Sequence, residues 1–142
     1  MAQRLRQSTS TVINFGPAVD KTDGVTPEIG LVSALDHATT GILLSKNGGA
    51  LTIRSQSVTA STYDAYAFYL VTLSTTDTNT VGRLLVAFIE TATCLPIWRE
   101  FQVVEEEVYD DLYASGAVGY LKPVTAGRDL IVNASNRIEA VN

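Results

Sequence analysis

The segment LLSKNGGALTIR constrains this chain more than any other stretch. Asn47 and Gly48 can take the two positive-φ positions of a type I′ turn, which folds residues 42–46 back on residues 50–54 as a tight hairpin. The apolar runs around it are short and rich in β-branched and aromatic residues: 11–15 (TVINF), 29–35 (IGLVSAL), 67–73 (AFYLVTL), 83–89 (RLLVAFI) and 97–104 (IWREFQVV). With the two hairpin arms this makes about seven strands. Side chains alternate as a half-buried sheet requires, with Leu84, Val86 and Phe88 on one face of their strand and Phe68 and Leu70 on one face of theirs. Trp98 is expected to pack inward. Turn residues at Asp23-Gly24 with Pro27, at Asp77 to Gly82 and at Leu95-Pro96 separate the runs. Strands following strands without crossover helices exclude a parallel α/β sheet. The expected fold is all-β: an antiparallel β-sandwich, immunoglobulin-like or jelly-roll-like.

The ends read differently. MAQRLRQSTS is polar and has no core-facing periodicity, so residues 1–14 are expected to form an extended N-terminal arm that another surface captures. Residues 15–121 form the expected sandwich domain and 122–142 a C-terminal extension whose shape the pattern leaves open. One helix is expected in EEEVYDDLYASG, where Val104, Val108 and Leu112 recur every four residues, Glu105 to Glu107 favour the positive end of the helix dipole, and Gly116 can close the end.

The 142 residues suit one domain, and 15 acidic against 10 basic residues give a net charge of −5, which repels phosphate backbones and anionic lipid. No nucleic acid and no membrane are expected as partners. No apolar run reaches the roughly 18 residues of a membrane span or follows Arg4 and Arg6 as a signal peptide would, so the expectation is a soluble protein made in a cytoplasm.

Catalytic chemistry finds little to stand on. His37 is the only histidine, and Asp36 beside it would point to the opposite strand face, a poor orienter for a Ser-His-Asp set. Cys94 has no basic residue within four positions to favour its thiolate, and one Cys with one His cannot close a structural zinc site. Glu100, Glu105, Glu106, Glu107, Asp110 and Asp111 lack the glycine-bearing turn of a calcium loop and read as a solvated helix face. Asp20 to Gly24 has the wrong spacing and reads as an Asx turn. No phosphate-binding or HExxH motif is present. The expectation is a protein that is not an enzyme, with no cofactor and no metal. Trp98, Tyr63, Tyr66, Tyr69, Tyr109, Tyr113 and Tyr120 are the amphipathic rings that interfaces and sugar platforms use.

An ordered series of residues carries a resemblance. Phe15-Gly16-Pro17, Asp20, Thr22-Asp23-Gly24, Thr26-Pro27-Glu28, Gly30-Leu31, Leu44 to Gly49, Asp77 to Thr80 with Gly82-Arg83-Leu84, and Leu95 to Phe101 with Tyr109-Asp110 together resemble small virion and tail-associated proteins and fibre N-terminal domains of tailed bacteriophages. The series runs over residues 15 to about 113, the segment SQSVTASTYDAYAFY fits it least, and the fibre-like repeats of longer members are not expected here. The resemblance implies a setting rather than an activity, and no catalytic residue. The expected function is accordingly that of a non-enzymatic virion structural protein, most concretely a capsid decoration (cement) protein, a homo-oligomer (trimer or dimer) bound to the major capsid protein. The alternatives are a tail, neck or baseplate accessory or fibre anchor bound to tail or neck subunits, and a carbohydrate-binding module for a host glycan. The expected location is the virion, assembled in the host cytoplasm. Arg4, Leu5 and Arg6 in the arm and Glu106, Tyr109, Asp110 and Tyr113 on the helix are the expected partner contacts.

Overall fold

The computed structural model describes residues 2–55, 62–89, 92–113, 131–132 and 138–139, the last two stretches by their backbone alone. The chain divides into two compact units, Met1–Glu106 and Glu107–Asn142. In chain order the elements are β1 (Gln3–Arg6), β2 (Thr11–Phe15), α1 (Val32–Leu35), β3 (Leu43–Lys46), β4 (Thr52–Ile53), β5 (Thr62–Tyr63), β6 (Tyr69–Leu73), β7 (Gly82–Phe88), β8 (Ile97–Val104), α2 (Glu106–Tyr113), β9 (Ile131–Val132) and β10 (Ile138–Glu139). The protein is mostly β, as its alternating runs require.

In the first unit, a five-stranded sheet has the order β1-β8-β7-β3-β4 and a three-stranded sheet the order β2-β6-β5. Their inner faces contribute to one apolar core: Leu5, Leu44, Leu84, Val86, Phe88, Ile97, Phe101 and Val103 from the larger sheet, Ile13, Phe15, Tyr69, Val71 and Leu73 from the smaller. The hairpin closes as expected. Asn47 and Gly48 have φ of 52° and 77°, and the N–H of Gly49 donates to the carbonyl of Lys46 at 3.0 Å. Pairing then resumes at Leu44↔Thr52, one residue beyond what a two-residue turn alone would set, so the β4 side carries an extra residue. Asn47 also fixes the neighbouring strand: its Nδ2 donates to the carbonyl of Val81 and its Oδ1 accepts from the N–H of Arg83 at 2.8 Å. A Cβ on Gly82, whose φ is +120°, would lie 2.0 Å from that oxygen.

Four expectations are corrected. Residues 29–35 are not a strand: Gly30 sits at φ +90°, which breaks the extended run, and Leu31 and Leu35, four apart, both enter the core through the short helix α1. Residues 1–14 are not an extended arm, because β1 pairs in parallel with β8 (Leu5↔Val103) and β2 pairs with β6. The larger sheet is therefore not wholly antiparallel. Trp98 does not pack inward: Ile97, Phe101 and Val103 take the inner phase of β8 and leave Trp98 66% exposed. Phe68 and Leu70 share a face as expected, and it is the outer one, because Tyr69, Val71 and Leu73 face the core.

The connection between β1 and β2 is held by polar contacts. Thr78 Oγ1 donates to the carbonyl of Thr9 at 2.9 Å and accepts from its N–H, while Gln7 Nε2 donates to the carbonyl of Asn79. The long connection from β2 to β3 is fastened in the core. The Tyr69 hydroxyl donates to the carbonyl of Glu28 at 2.7 Å and accepts from the N–H of Leu31, and Arg99 Nη2 donates to the carbonyl of Gly16.

In the second unit the expected helix appears as α2, while Val104 of its expected apolar stripe ends β8 instead. No α2 side chain is buried. β9 and β10 pair antiparallel, Ile138↔Val132. Gly116, Tyr120 and the expected boundary at 121/122 lie outside the described residues.

Candidate functional site

The groups weighed for catalysis are occupied structurally. The His37 ring Nδ1 accepts the N–H groups of Thr39 and Thr40, both at 3.3 Å, and so caps the turn after α1. Asp36 serves Arg54 instead: its carboxylate accepts from the guanidinium Nη2 at 2.6 Å, where the Arg54 side chain is wholly buried and its Nη1 donates to the carbonyl of Thr72. This pair joins α1, the end of β4 and β6 inside the fold. Cys94 is a buried thiol whose backbone bridges to Asp20. Asp77 is buried and accepts from the N–H groups of Ser55 and Ser74 and from the Ser74 hydroxyl, which ties the β6–β7 turn to the end of β4.

Asp23 is the exposed counterpart. Its carboxylate accepts the N–H groups of Val25 and Thr26 and the Thr26 hydroxyl, and these bonds hold its pKa down at about 2. The expected Asx turn is in place. Tyr69 is shifted the other way, its phenol raised above 10.0 because burial penalises the phenolate.

The expected partner contacts divide. Leu5 is 2% exposed and belongs to this chain's own core, so it has no side-chain surface to offer a neighbour. Arg4 is exposed on the outer face of β1, opposite Gln102. Arg6 and Glu106, a hundred residues apart, are brought together as an ion pair, with Arg6 Nη1 also donating to Thr9 Oγ1. On α2 the rings of Tyr109 and Tyr113 touch at 4.7 Å; Tyr109 and Asp110 are half-buried and Tyr113 is exposed.

Two surfaces that sequence reasoning did not isolate remain, one on each sheet of the first unit. Register places Ile53, Leu43, Ala87 and Trp98 in a single row across the outer face of the five-stranded sheet, over β4, β3, β7 and β8. Beside it the next row carries Leu85 opposite Glu100, and Glu100 pairs with Arg83 at 3.4 Å. Within the first row Trp98 stands 66% exposed on β8, Leu43 and Ile53 are half-buried, and Ala87 is buried.

The three-stranded sheet carries a cavity of about 180 Å³ on its outer side. Asn14, Leu70 and Thr62 form a row across β2, β6 and β5 at its floor, and Tyr63, Asp64 and Phe68 complete the lining. The loop between β5 and β6 shapes it. Asp64 Oδ1 accepts the N–H groups of Tyr66 and Phe68 at 2.9 and 3.0 Å, and Ala67 at φ +57° turns the chain back into β6.

No protein family, curated protein or solved structure matches this chain. Its function is argued from these surfaces and from the residue series.

Proposed function

We propose that the chain is a non-enzymatic structural protein of a bacteriophage virion that binds other virion subunits, most concretely a capsid decoration (cement) protein on the major capsid protein. The observation that supports the docking part of this reading is the Trp98 indole, two thirds exposed on the longest strand beside the half-buried Leu43 and Ile53 of the same outer-face row. The setting comes from the phage-like residue series, and the acidic balance of the chain suits a particle surface that must not adhere to nucleic acid.

The fold belonging to this reading is a β-sandwich of the immunoglobulin-like type. Strand order supports that type over a jelly roll. Sheets ordered β1-β8-β7-β3-β4 and β2-β6-β5, with β1 parallel to β8, follow the arrangement of a variable-type immunoglobulin domain that lacks its outermost strand. Such a body presents rigid sheet faces, and many weak copies in symmetric array add up to firm attachment without a cofactor.

Quantitative mass spectrometry of purified virions tests the reading. A ratio to the major capsid protein within a few fold of unity is the expected result. A few to a few dozen copies would move the protein to the tail, neck or fibre apparatus, and absence from particles would overturn both assignments.

A further inference from the structure

We infer that the cavity on the three-stranded sheet is a subsite for one neutral pyranose residue of a glycan. The argument starts from unspent polar groups. Among the described residues, the Asn14 amide, the Thr62 hydroxyl and Asp64 Oδ2 make no hydrogen bond within the chain, yet all three residues line the same cavity. Asp64 is held in place by its other oxygen, so Oδ2 is a fixed acceptor that needs no reorganisation when a ligand arrives. The apolar part of the lining comes from Phe68 and Leu70, and Tyr63 at the edge packs its ring against that of Tyr69 at 5.6 Å.

A pyranose alternates C–H faces with hydroxyl groups, and this lining offers the matching alternation. Phe68 and Leu70 cover C–H surface, Asp64 Oδ2 accepts from sugar hydroxyls, and Asn14 and Thr62 both donate and accept. Competing ligands fit less well. A phosphate or a carboxylated sugar would meet the Asp64 carboxylate as a like charge. An apolar peptide side chain would bury the Asn14 amide and the Asp64 carboxylate without partners, which is unfavourable for both groups. A quaternary ammonium would be attracted to Asp64 but would leave the Asn14 and Thr62 groups unanswered.

This inference stands apart from the virion reading, since the cavity and the Trp98 row are on different sheets and either can fail without the other. The test is a titration of the ¹⁵N-labelled full chain with the methyl glycosides of glucose, galactose, mannose and N-acetylglucosamine, followed by amide shifts, with choline as the cationic comparison. At least one glycoside is expected to give saturable shifts at Asn14, Thr62 and Phe68 with a dissociation constant on the order of millimolar. Asn14→Ala, at an exposed strand position, and Asp64→Asn, which keeps the loop-holding Oδ1 and exchanges the outward acceptor for a donor, should each weaken binding about tenfold while leaving the remaining spectrum in place. No saturable shift with any of the four glycosides up to about 50 mM would overturn the proposal. So would shifts that persist unchanged in both variants, or stronger saturation by choline.

Discussion

The two sheets of the first unit share a core and differ in what they show the solvent. The five-stranded sheet is built on long strands, seven residues in β7 and eight in β8, and its outer face carries an indole in a row of aliphatic side chains. The three-stranded sheet is shorter and ends in a loop whose carboxylate turns a shallow cavity into a polar-rimmed one. The inner alternation is the same in both, so folding constrains both inner phases alike. The outer phase is free of that constraint, and there the two sheets have diverged in chemistry. The proposals for this protein accordingly lie on the outer faces, a protein neighbour for the row that carries Trp98 and a small polar ligand for the cavity.

The comparison breaks most severely if the core is not shared. Phe15→Ala on the smaller sheet and Phe88→Ala on the larger remove fully buried rings, and each should cost about 3–5 kcal/mol in denaturant unfolding. Similar losses with a single transition are expected. Two transitions, one spared by each variant, would separate the sheets into independent units.

Gly82→Ala ranks next and touches only the larger sheet. A Cβ there collides with the Asn47 side chain that bonds Val81 and Arg83, and φ +120° is strained for alanine, so a loss of about 2–3 kcal/mol is expected by chemical denaturation. Tyr69→Phe touches only the smaller one. It leaves the carbonyl of Glu28 and the N–H of Leu31 without the hydroxyl and should cost about 1–3 kcal/mol. The wild-type protein should also lose stability above about pH 10, because a phenol whose folded pKa is raised holds its proton in the fold after the unfolded chain has released it. Tyr69→Phe should remove that part of the alkaline slope.

The smallest effect is local. Asp23 has a folded pKa of about 2, below its ordinary 3.8, so its bonds support the 20–27 turn fully above the unfolded value and are lost as pH falls from there through about 2. Amide exchange at Val25 and Thr26 should speed up over that interval, and Asp23→Ala should show the fast exchange at every pH.

Much of this architecture was legible because local chemistry dictated it. Asn47-Gly48 marked its turn, TVINF and IWREFQVV became β2 and β8 with their expected ends, and the acidic run beginning at Glu105 opened α2. Errors arose where a non-local partner decided. MAQRLRQSTS shows almost no apolar pattern, since β1 is held by main-chain pairing to residues about a hundred positions away with Leu5 as its one core side chain. The strand phase at Trp98 was readable in principle: Ile97, Phe101 and Val103 outweigh Trp98 and Val104 as an apolar set, and counting the set rather than weighing the largest ring would have turned the indole outward. Residues 29–35 misled because Gly30 and the four-residue spacing of Leu31 and Leu35 compete with a strand-like composition. The cavity had no sequence signal, because Asn14 and Thr62 meet only through their separate pairing with Leu70.

The most direct test of the docking claim is hydroxyl-radical footprinting of this chain, free in solution and within purified virions, read at two exposed rings. Trp98 on the larger sheet is 66% exposed and Tyr66, in the loop beside the cavity, is 71% exposed, so both should be modified in the free protein. The account predicts that Trp98 becomes protected in the particle while Tyr66 stays reactive. Equal modification of Trp98 in the two states, with or without protection of Tyr66, would contradict it.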